Sequence, residues 1–391
     1  MLSRDLGQII VQMAEKMPII SITGPRQSGK TTLSKVCFPD YDYVNLESPE
    51  TRLAAQEDPK SFLRTHKKGL IIDEAQRMPD LFSYLQVLSD ESGKPGEYIL
   101  TGSQNFLLHK TISQSLAGRV FVSHLLPLSL HELRHARLLP ENPNEAIRKG
   151  FYPRVYDKDI EPAFFYPSYN QTYLERDIAG LVHASNINSF RKFMQLLAGR
   201  IGQLINFSSL SIEVGVDYKT IQSWCSLLEA GFLVFFLRPY HQNYSKRIVK
   251  SAKAYFHDTG LACSLLGITS TQDVEKHWAR GALFENMIVA DCLKGFYNKG
   301  QREALYFWRD SKGLEIDLII EDGTDIKAIE IKSGTTINAD FFSNLEKFEK
   351  LTSRPLSKYI VFGGDSTAIR RDTRVLPWFE TAQIIGRDLK I

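Results

Sequence analysis

The sequence predicts an α/β protein: a parallel sheet comes first, a helical module ending on a strand follows, and a second α/β unit closes the chain. Three observations predict this class. From Pro18 to about Leu126, short apolar runs alternate with helical patterns. Between Leu204 and Val234 the pattern is helix, glycine-containing turn and helix, before an apolar strand from Phe232 to Leu237. Beyond Gly281 a helix at 282–293 precedes three strand-like runs. At 391 residues the chain is too long for one ordinary core, and length alone suggests roughly two or three domains.

Composition narrows the class. Hydrophobic residues make up 43% and charged residues 24%, enough for packed cores throughout and unlike a disordered chain. The 48 Lys and Arg nearly balance the 45 Asp and Glu, so attraction to nucleic acid must come from a local patch. Cys37, Cys225, Cys263 and Cys292 form no Cys-x-x-Cys pair, which speaks against a zinc site or a disulfide framework and for free thiols in a reducing cytoplasm. Leu6, Ile9, Ile10 and Met13, set among Arg4, Asp5, Glu15 and Lys16, have amphipathic-helix spacing and not the apolar core of a signal peptide. No stretch approaches the roughly 20 apolar residues of a membrane span, so a cytoplasmic protein with no membrane partner is expected.

Taken in order, residues 19–23, 43–46, 70–72, 98–101 and 120–126 read as the strands of a first domain, 1–126. Strands that alternate with helices imply a parallel sheet. Pro127, Pro140, Pro143, Pro153, Pro162 and Pro167 mark a less regular stretch, read as a helical subdomain and linker over 127–185. The helix, turn, helix and strand order within 186–250 is that of a winged helix-turn-helix. In the last segment, 251–391, runs at 304–308, 315–320 and 326–331 read as strands, with Glu321-Asp322-Gly323-Thr324 as a hairpin turn.

The strongest chemical signal is Gly24-Pro25-Arg26-Gln27-Ser28-Gly29-Lys30-Thr31, followed by Thr32. It fits G-x-x-x-x-G-K-[ST], follows a predicted strand and opens a predicted helix. The glycines let backbone N–H groups converge on phosphates, Lys30 reaches the β and γ oxygens of ATP, and Thr31 is a magnesium ligand. One strand further on, Gly69-Leu70-Ile71-Ile72-Asp73-Glu74 is an apolar run ending in two acids. Asp73 is expected to hold magnesium through water, and Glu74 to polarise the attacking water. Ser103, with Gln104 and Asn105 as rivals, lies where a polar γ-phosphate sensor would sit. Arg119, just before the next strand, reads equally as an arginine finger reaching a second copy of the chain and as a surface arginine.

Beside these motifs stand Leu100-Thr101-Gly102-Ser103, Leu116-Ala117-Gly118-Arg119, Tyr255-Phe256-His257-Asp258-Thr259-Gly260-Leu261 and Phe307-Trp308-Arg309-Asp310. With them the whole chain resembles the bacterial and archaeal AAA+ ATPases that join a P-loop domain to a winged helix and a C-terminal domain of restriction-endonuclease-like fold. It departs from the group at Gly150-Phe151-Tyr152-Pro153, where paired glycines often precede the proline, and at Ala252, where proline is usual.

The resemblance implies a metal site in the last domain. In restriction-endonuclease-like sites two acids bind a divalent ion and a lysine helps to activate water; Glu330-Ile331-Lys332, preceded by Asp317 and Glu285, has that order. Residues i and i+2 of a strand share a face, so Glu330 and Lys332 are expected together, with Ile331 turned into the core. The same pattern suits a half-exposed strand in a fold used only for binding. Over 186–250 there are eight Lys and Arg (191, 192, 200, 219, 238, 246, 247, 250) against three acids (213, 217, 229). Lys219, Thr220, Gln222 and Ser223 would open the recognition helix, and Lys246, Arg247 and Lys250 would contact phosphates, with DNA as the partner; a spacer or a protein-docking module would use the same fold. His257 beside Asp258 is read as structural. The chain is thus expected to bind ATP with Mg2+ and hydrolyse it, its nucleotide state controlling a nuclease-like, DNA-acting half. The alternative is an ATP switch that binds a protein partner.

Overall fold

The computed structural model describes residues 2–66, 68–103, 116–173, 182, 186–241 and 251–386. Two compact units divide them. The first comprises residues 1–127 with short pieces at 230–232 and 297–301; the second comprises 128–229, 233–296 and 302–391.

In the first unit, β1 (Ile19–Thr23), β2 (Asp42–Asn45), β3 (Leu70–Asp73), β4 (Tyr98–Gly102) and β5 (Val120–His124) form a parallel sheet in the order β2-β3-β4-β1-β5. Parallel strands are covered on both faces, which is why β1, β3 and β4 are apolar and buried along their length. Alternate residues supply two cores. Ile19, Leu70, Ile72, Tyr98 and Leu100 pack with Leu81, Phe82 and Leu85, while Ile20, Ile22, Ile71 and Ile99 pack with Leu6, Ile10 and Leu33. The register sets Thr23 beside Gly102 and Asn45 beside Asp73, so the carboxyl ends of the strands open on one edge of the sheet. β5 ends at His124, two residues before the expected limit, although Leu125 still donates its N–H to the Thr23 carbonyl at 2.7 Å.

The second unit contains an eight-stranded sheet, β12-β13-β11-β10-β9-β8-β6-β7, from β6 (Val234–Pro239), β7 (Lys253–Phe256), β8 (Leu305–Arg309), β9 (Glu315–Asp322), β10 (Asp325–Lys332), β11 (Leu356–Phe362), β12 (Ala368–Arg370) and β13 (Thr373–Pro377). β9 and β10 pair antiparallel out to Asp322 and Asp325, so the turn narrows to Gly323-Thr324, with Gly323 in the left-handed region at φ 62°. β10, β11 and β13 run parallel.

Three prolines of the 127–185 stretch open helices: Pro143, Pro153 and Pro162 stand at first helical positions, where no N–H is needed, while Pro167 lies inside the Pro162–Tyr173 helix. Helices Ile187–Ala198, Phe207–Val214 and Tyr218–Ala230 follow, the second capped by Gly215 at φ 84°. The strand after them starts at Val234 and not at Phe232, because Phe232 takes a left-handed φ of 56° that ends extended pairing. β6 and β7 pair antiparallel, and Ile201 and Leu204 bridge to Ala254 and Lys253. The helix expected at 282–293 runs from Arg280 to Asn298.

Candidate nucleotide site and carboxylate cluster

β1 ends at Thr23 and the chain turns sharply at Gly24, where φ is 153° and an added Cβ would lie 2.1 Å from the Leu125 carbonyl oxygen. Only glycine fits so close to backbone. Pro25, Arg26, Gln27 and Ser28 carry the loop to Gly29, which at φ 95° starts the Lys30–Cys37 helix. Arg4 braces this loop, donating to the Ser28 carbonyl at 2.7 Å and the Leu126 carbonyl at 2.6 Å. Lys30 is buried and donates from Nζ to the carbonyls of Gly24 and Pro25 at 2.9 and 2.8 Å, so its ammonium lies inside the loop. The buried Ser28 Oγ has no partner within hydrogen-bond distance among the described residues. Thr32 faces solvent.

β3 delivers Asp73 to the same edge. Its Oδ2 accepts hydrogen bonds from Thr31 Oγ1 at 2.8 Å and from the Tyr43 hydroxyl at 2.8 Å; its Oδ1 accepts from the Thr101 hydroxyl and from the Glu74 N–H at 3.2 Å. Glu74 leaves the strand at a left-handed φ of 54°. Ser103 Oγ donates to its carboxylate at 3.1 Å and the Gln76 amide donates to the same group. Lys30, Thr31, Asp73, Glu74 and Ser103, spread over 74 positions of sequence, therefore stand around one strand edge. Gln104 and Asn105 lie outside the described residues. Tyr43, Thr101 and Gln76 are partners that the motifs did not mark; a hydroxyl fully buried in the apolar β4 was the available signal for Thr101.

These residues fit the group that the loop implies. A strained glycine turn and an unpartnered buried hydroxyl suit a phosphate chain, and the hydroxyl and carboxylate oxygens of Thr31 and Asp73 are the hard donors magnesium takes. Arg119 lies apart, its guanidinium engaged by Asp90 through Nε at 2.6 Å and Nη2 at 2.8 Å. The guanidinium holds the Asp90 carboxyl below the usual carboxylate range.

In the second unit, Glu285 Oε1 accepts from the Tyr255 hydroxyl at 2.5 Å and from Lys253 Nζ at 3.3 Å; Lys253 also pairs with Glu315. Glu330 accepts from Lys332 Nζ at 2.6 Å. Asp317 accepts from the Ile331 N–H at 2.7 Å and lies 3.6 Å from Lys332 Nζ. Burial, then the charge of Asp317, pushes Glu285 up to about 7 and Glu330 up to about 8.

One expectation is corrected here. Glu330 is itself 1% exposed, so β10 is buried on both faces and Ile331 does not alone face the core. Among the described residues, no group of three or more His, Cys, Asp or Glu side chains could hold a metal ion. Lysines compensate the set of Glu285, Asp317 and Glu330 in part: Lys253 donates to Glu285 Oε1 and Lys332 to Glu330 Oε2, while Glu330 Oε1 has no lysine partner. Asp258 caps the Thr259–Leu265 helix through the Leu261 N–H at 2.8 Å, and also accepts from the Phe151 N–H at 2.6 Å. The structural reading of the His257-Asp258 pair agrees with that capping role.

A β2-β3-β4-β1-β5 parallel sheet with this loop after β1 and this acid pair after β3 defines an ATPase of the AAA P-loop class. Residues 16–134 match the AAA domain family, and residues 141–272 and 280–380 match two domains of unknown function, DUF8612 and DUF4143. An "Uncharacterized protein" of Mycobacterium tuberculosis is 32% identical over 342 residues, covering 85% of this chain and 74% of that protein. The chain belongs to the same family of AAA-type ATPases as this mycobacterial relative. A Haemophilus influenzae relative is 24% identical over 366 residues, covering 85% of this chain and 86% of that protein. Among solved structures, a Walker-type ATPase of Pyrococcus abyssi is similar to 67% of this chain and 94% of its own, at 15% identity and a TM-score of 0.39. No helix among the described residues is long and apolar enough to cross a membrane.

Proposed function

We propose that this protein binds and hydrolyses ATP at the edge formed by Gly24–Thr32, Asp73, Glu74 and Ser103, and that the nucleotide state governs what the second unit binds. One observation carries the reading: Thr31 meets Asp73 at 2.8 Å while Ser103 meets Glu74 at 3.1 Å on the same strand edge. In turnover Lys30 exchanges the loop carbonyls for β and γ oxygens. Glu74 accepts a proton from the water that attacks the γ phosphorus; a bond from water oxygen to phosphorus forms, the bond to the ADP oxygen breaks, and ADP and inorganic phosphate leave. Magnesium, held by Thr31 and Asp73, supplies charge neutralisation at the phosphates when bound. Ser103 orients Glu74. Lys30→Ala is expected to abolish nucleotide binding, whereas Glu74→Gln retains ATP without hydrolysing it; turnover at the wild-type rate in both variants would overturn the assignment.

For the second unit we propose a winged helix and an endonuclease-like sheet that act on DNA. The reading is supported by the three helices ahead of the β6–β7 pair and by a solvent face on the Tyr218–Ala230 helix that carries Lys219, Gln222, Ser223 and Ser226. Thr220 is less available, since its N–H and hydroxyl both donate to Asp217. Lys246, Arg247 and Lys250 lie outside the described residues. The lysine-compensated cluster favours a second reading, an ATP switch without nuclease activity whose second unit binds a protein. Incubating the protein with plasmid and linear DNA, ATP and Mg2+ or Mn2+ separates the two: cleavage lost in Glu330→Gln supports the first, and intact DNA with no DNA-stimulated turnover supports the second.

A further inference from the structure

We propose that Tyr43 is a positioning residue of the nucleotide site, holding the Asp73 carboxylate in the orientation that serves the magnesium ion; this rests on the ATPase reading above. Asp73 ends β3, and each of its oxygens is held twice by uncharged donors. Thr101 and the Glu74 N–H fix Oδ1; Thr31 and Tyr43 fix Oδ2, each at 2.8 Å. Of the three hydroxyls, Thr31 is the one expected to turn a lone pair to the cation. Tyr43 and Thr101 therefore define the carboxylate plane from the side away from the loop.

Tyr43 is suited to the task. It lies on β2 beside β3, pairing with Ile71, two residues before the Asn45–Asp73 pair, so its long side chain reaches forward to Asp73. Lys35, one helical turn after Thr31, sets Nζ 3.4 Å from the Tyr43 ring centroid. A cation over the ring face attracts the ring quadrupole and limits its swing. The residue that ligates the metal and the residue that braces the tyrosine thus belong to one helix, Lys30–Cys37.

Tyr43→Phe removes the donor and keeps the ring, the packing and the contact with Lys35. The test uses the full-length chain and ADP as probe, titrating Mg2+ at fixed ADP and reading binding by calorimetry, with no turnover involved. A hydrogen bond to a charged group contributes about 1.5–3 kcal/mol, so half-saturating Mg2+ is expected to rise roughly tenfold or more in Tyr43→Phe, with ADP affinity in EDTA unchanged within about twofold. Asp73→Asn is the reference and should lose the Mg2+ dependence. A Mg2+ midpoint for Tyr43→Phe within about twofold of wild type, beside a shifted Asp73→Asn, overturns the inference and leaves the ATPase reading standing. Equal losses with and without Mg2+ would also overturn it, because a merely structural tyrosine has that effect. If neither Asp73→Asn nor Lys30→Ala alters ADP binding, the nucleotide-site reading itself fails and takes this inference with it.

Discussion

Replacing Glu330 by glutamine should change how the second unit's stability depends on pH. The cluster sets four carboxylates, Glu285, Glu315, Asp317 and Glu330, against Lys253, Lys332 and Arg309, and so carries an excess of one negative charge if every group ionises. Burial makes that excess costly, and the cluster relieves it by keeping protons: Glu330 rises from 4.5 to about 8 and Glu285 from 4.5 to about 7. Raised folded values mean that the folded state binds protons the unfolded chain has released. The resulting stability is full below about pH 4.5 and is lost as the pH climbs through about 7 to 8. At about 1.4 kcal/mol per pH unit, Glu330 alone would give at most about 5 kcal/mol, and sharing within the cluster reduces this to about 3 kcal/mol between pH 5 and 8.5. Trp224, Trp278, Trp308 and Trp378 all belong to the second unit, so urea denaturation followed by tryptophan fluorescence reports it selectively. The neutral amide should flatten the slope and make Glu330→Gln more stable than wild type at pH 8.5. A wild-type slope retained in the variant, or wild-type stability that rises from pH 5 to 8.5, would refute the reasoning.

The remaining predictions concern charges that lack a neutral substitute. Lys253 is 3% exposed between Glu285 and Glu315, so Lys253→Met leaves two half-buried acids with only Tyr255 and Arg309 as partners; it should cost about 3 kcal/mol at pH 8 and less at pH 5, read from the urea midpoint. An unchanged midpoint at both values would show that the pairing contributes nothing. For Arg119, mixing Arg119→Ala protein with Lys30→Ala protein should restore partial ATPase activity if the arginine completes a neighbour's site. Full activity of Arg119→Ala by itself would leave the residue as the partner of Asp90 alone.

What was legible in the sequence follows from how locally each function is written. Gly24, Gly29, Lys30 and Thr31 lie within one turn, and Asp73-Glu74 ends one strand, so the proposed roles can be read from the motifs alone. Tyr43, Thr101 and Gln76 are ordinary residues whose importance comes from the β2-β3-β4 neighbourhood, which no spacing within a single segment reveals. Strand limits slipped where backbone conformation overrode apolar pattern, as at Phe232. In the second unit the i,i+2 rule correctly placed Glu330 near Lys332, but Lys253 stands far upstream beside Ala252, and only the fold brings it to Glu285 and Glu315.

That last partner changes the chemistry available to two acid sets that look alike as motifs. Around Asp73, Thr31, Tyr43 and Thr101 are neutral donors that orient the carboxylate without cancelling its charge, which stays available to a dication. Around Glu285 and Glu330 the donors include ammoniums, at 3.3 and 2.6 Å. A divalent ion arriving there competes with these ammoniums for the carboxylate charge as well as shedding water. Hydroxyl-held carboxylates are therefore preorganised for a metal, whereas lysine-held ones are preorganised for stability and specificity of packing. The two halves of this chain use carboxylates, one at a strand end and the others on a helix and two strands, for opposite electrostatic ends.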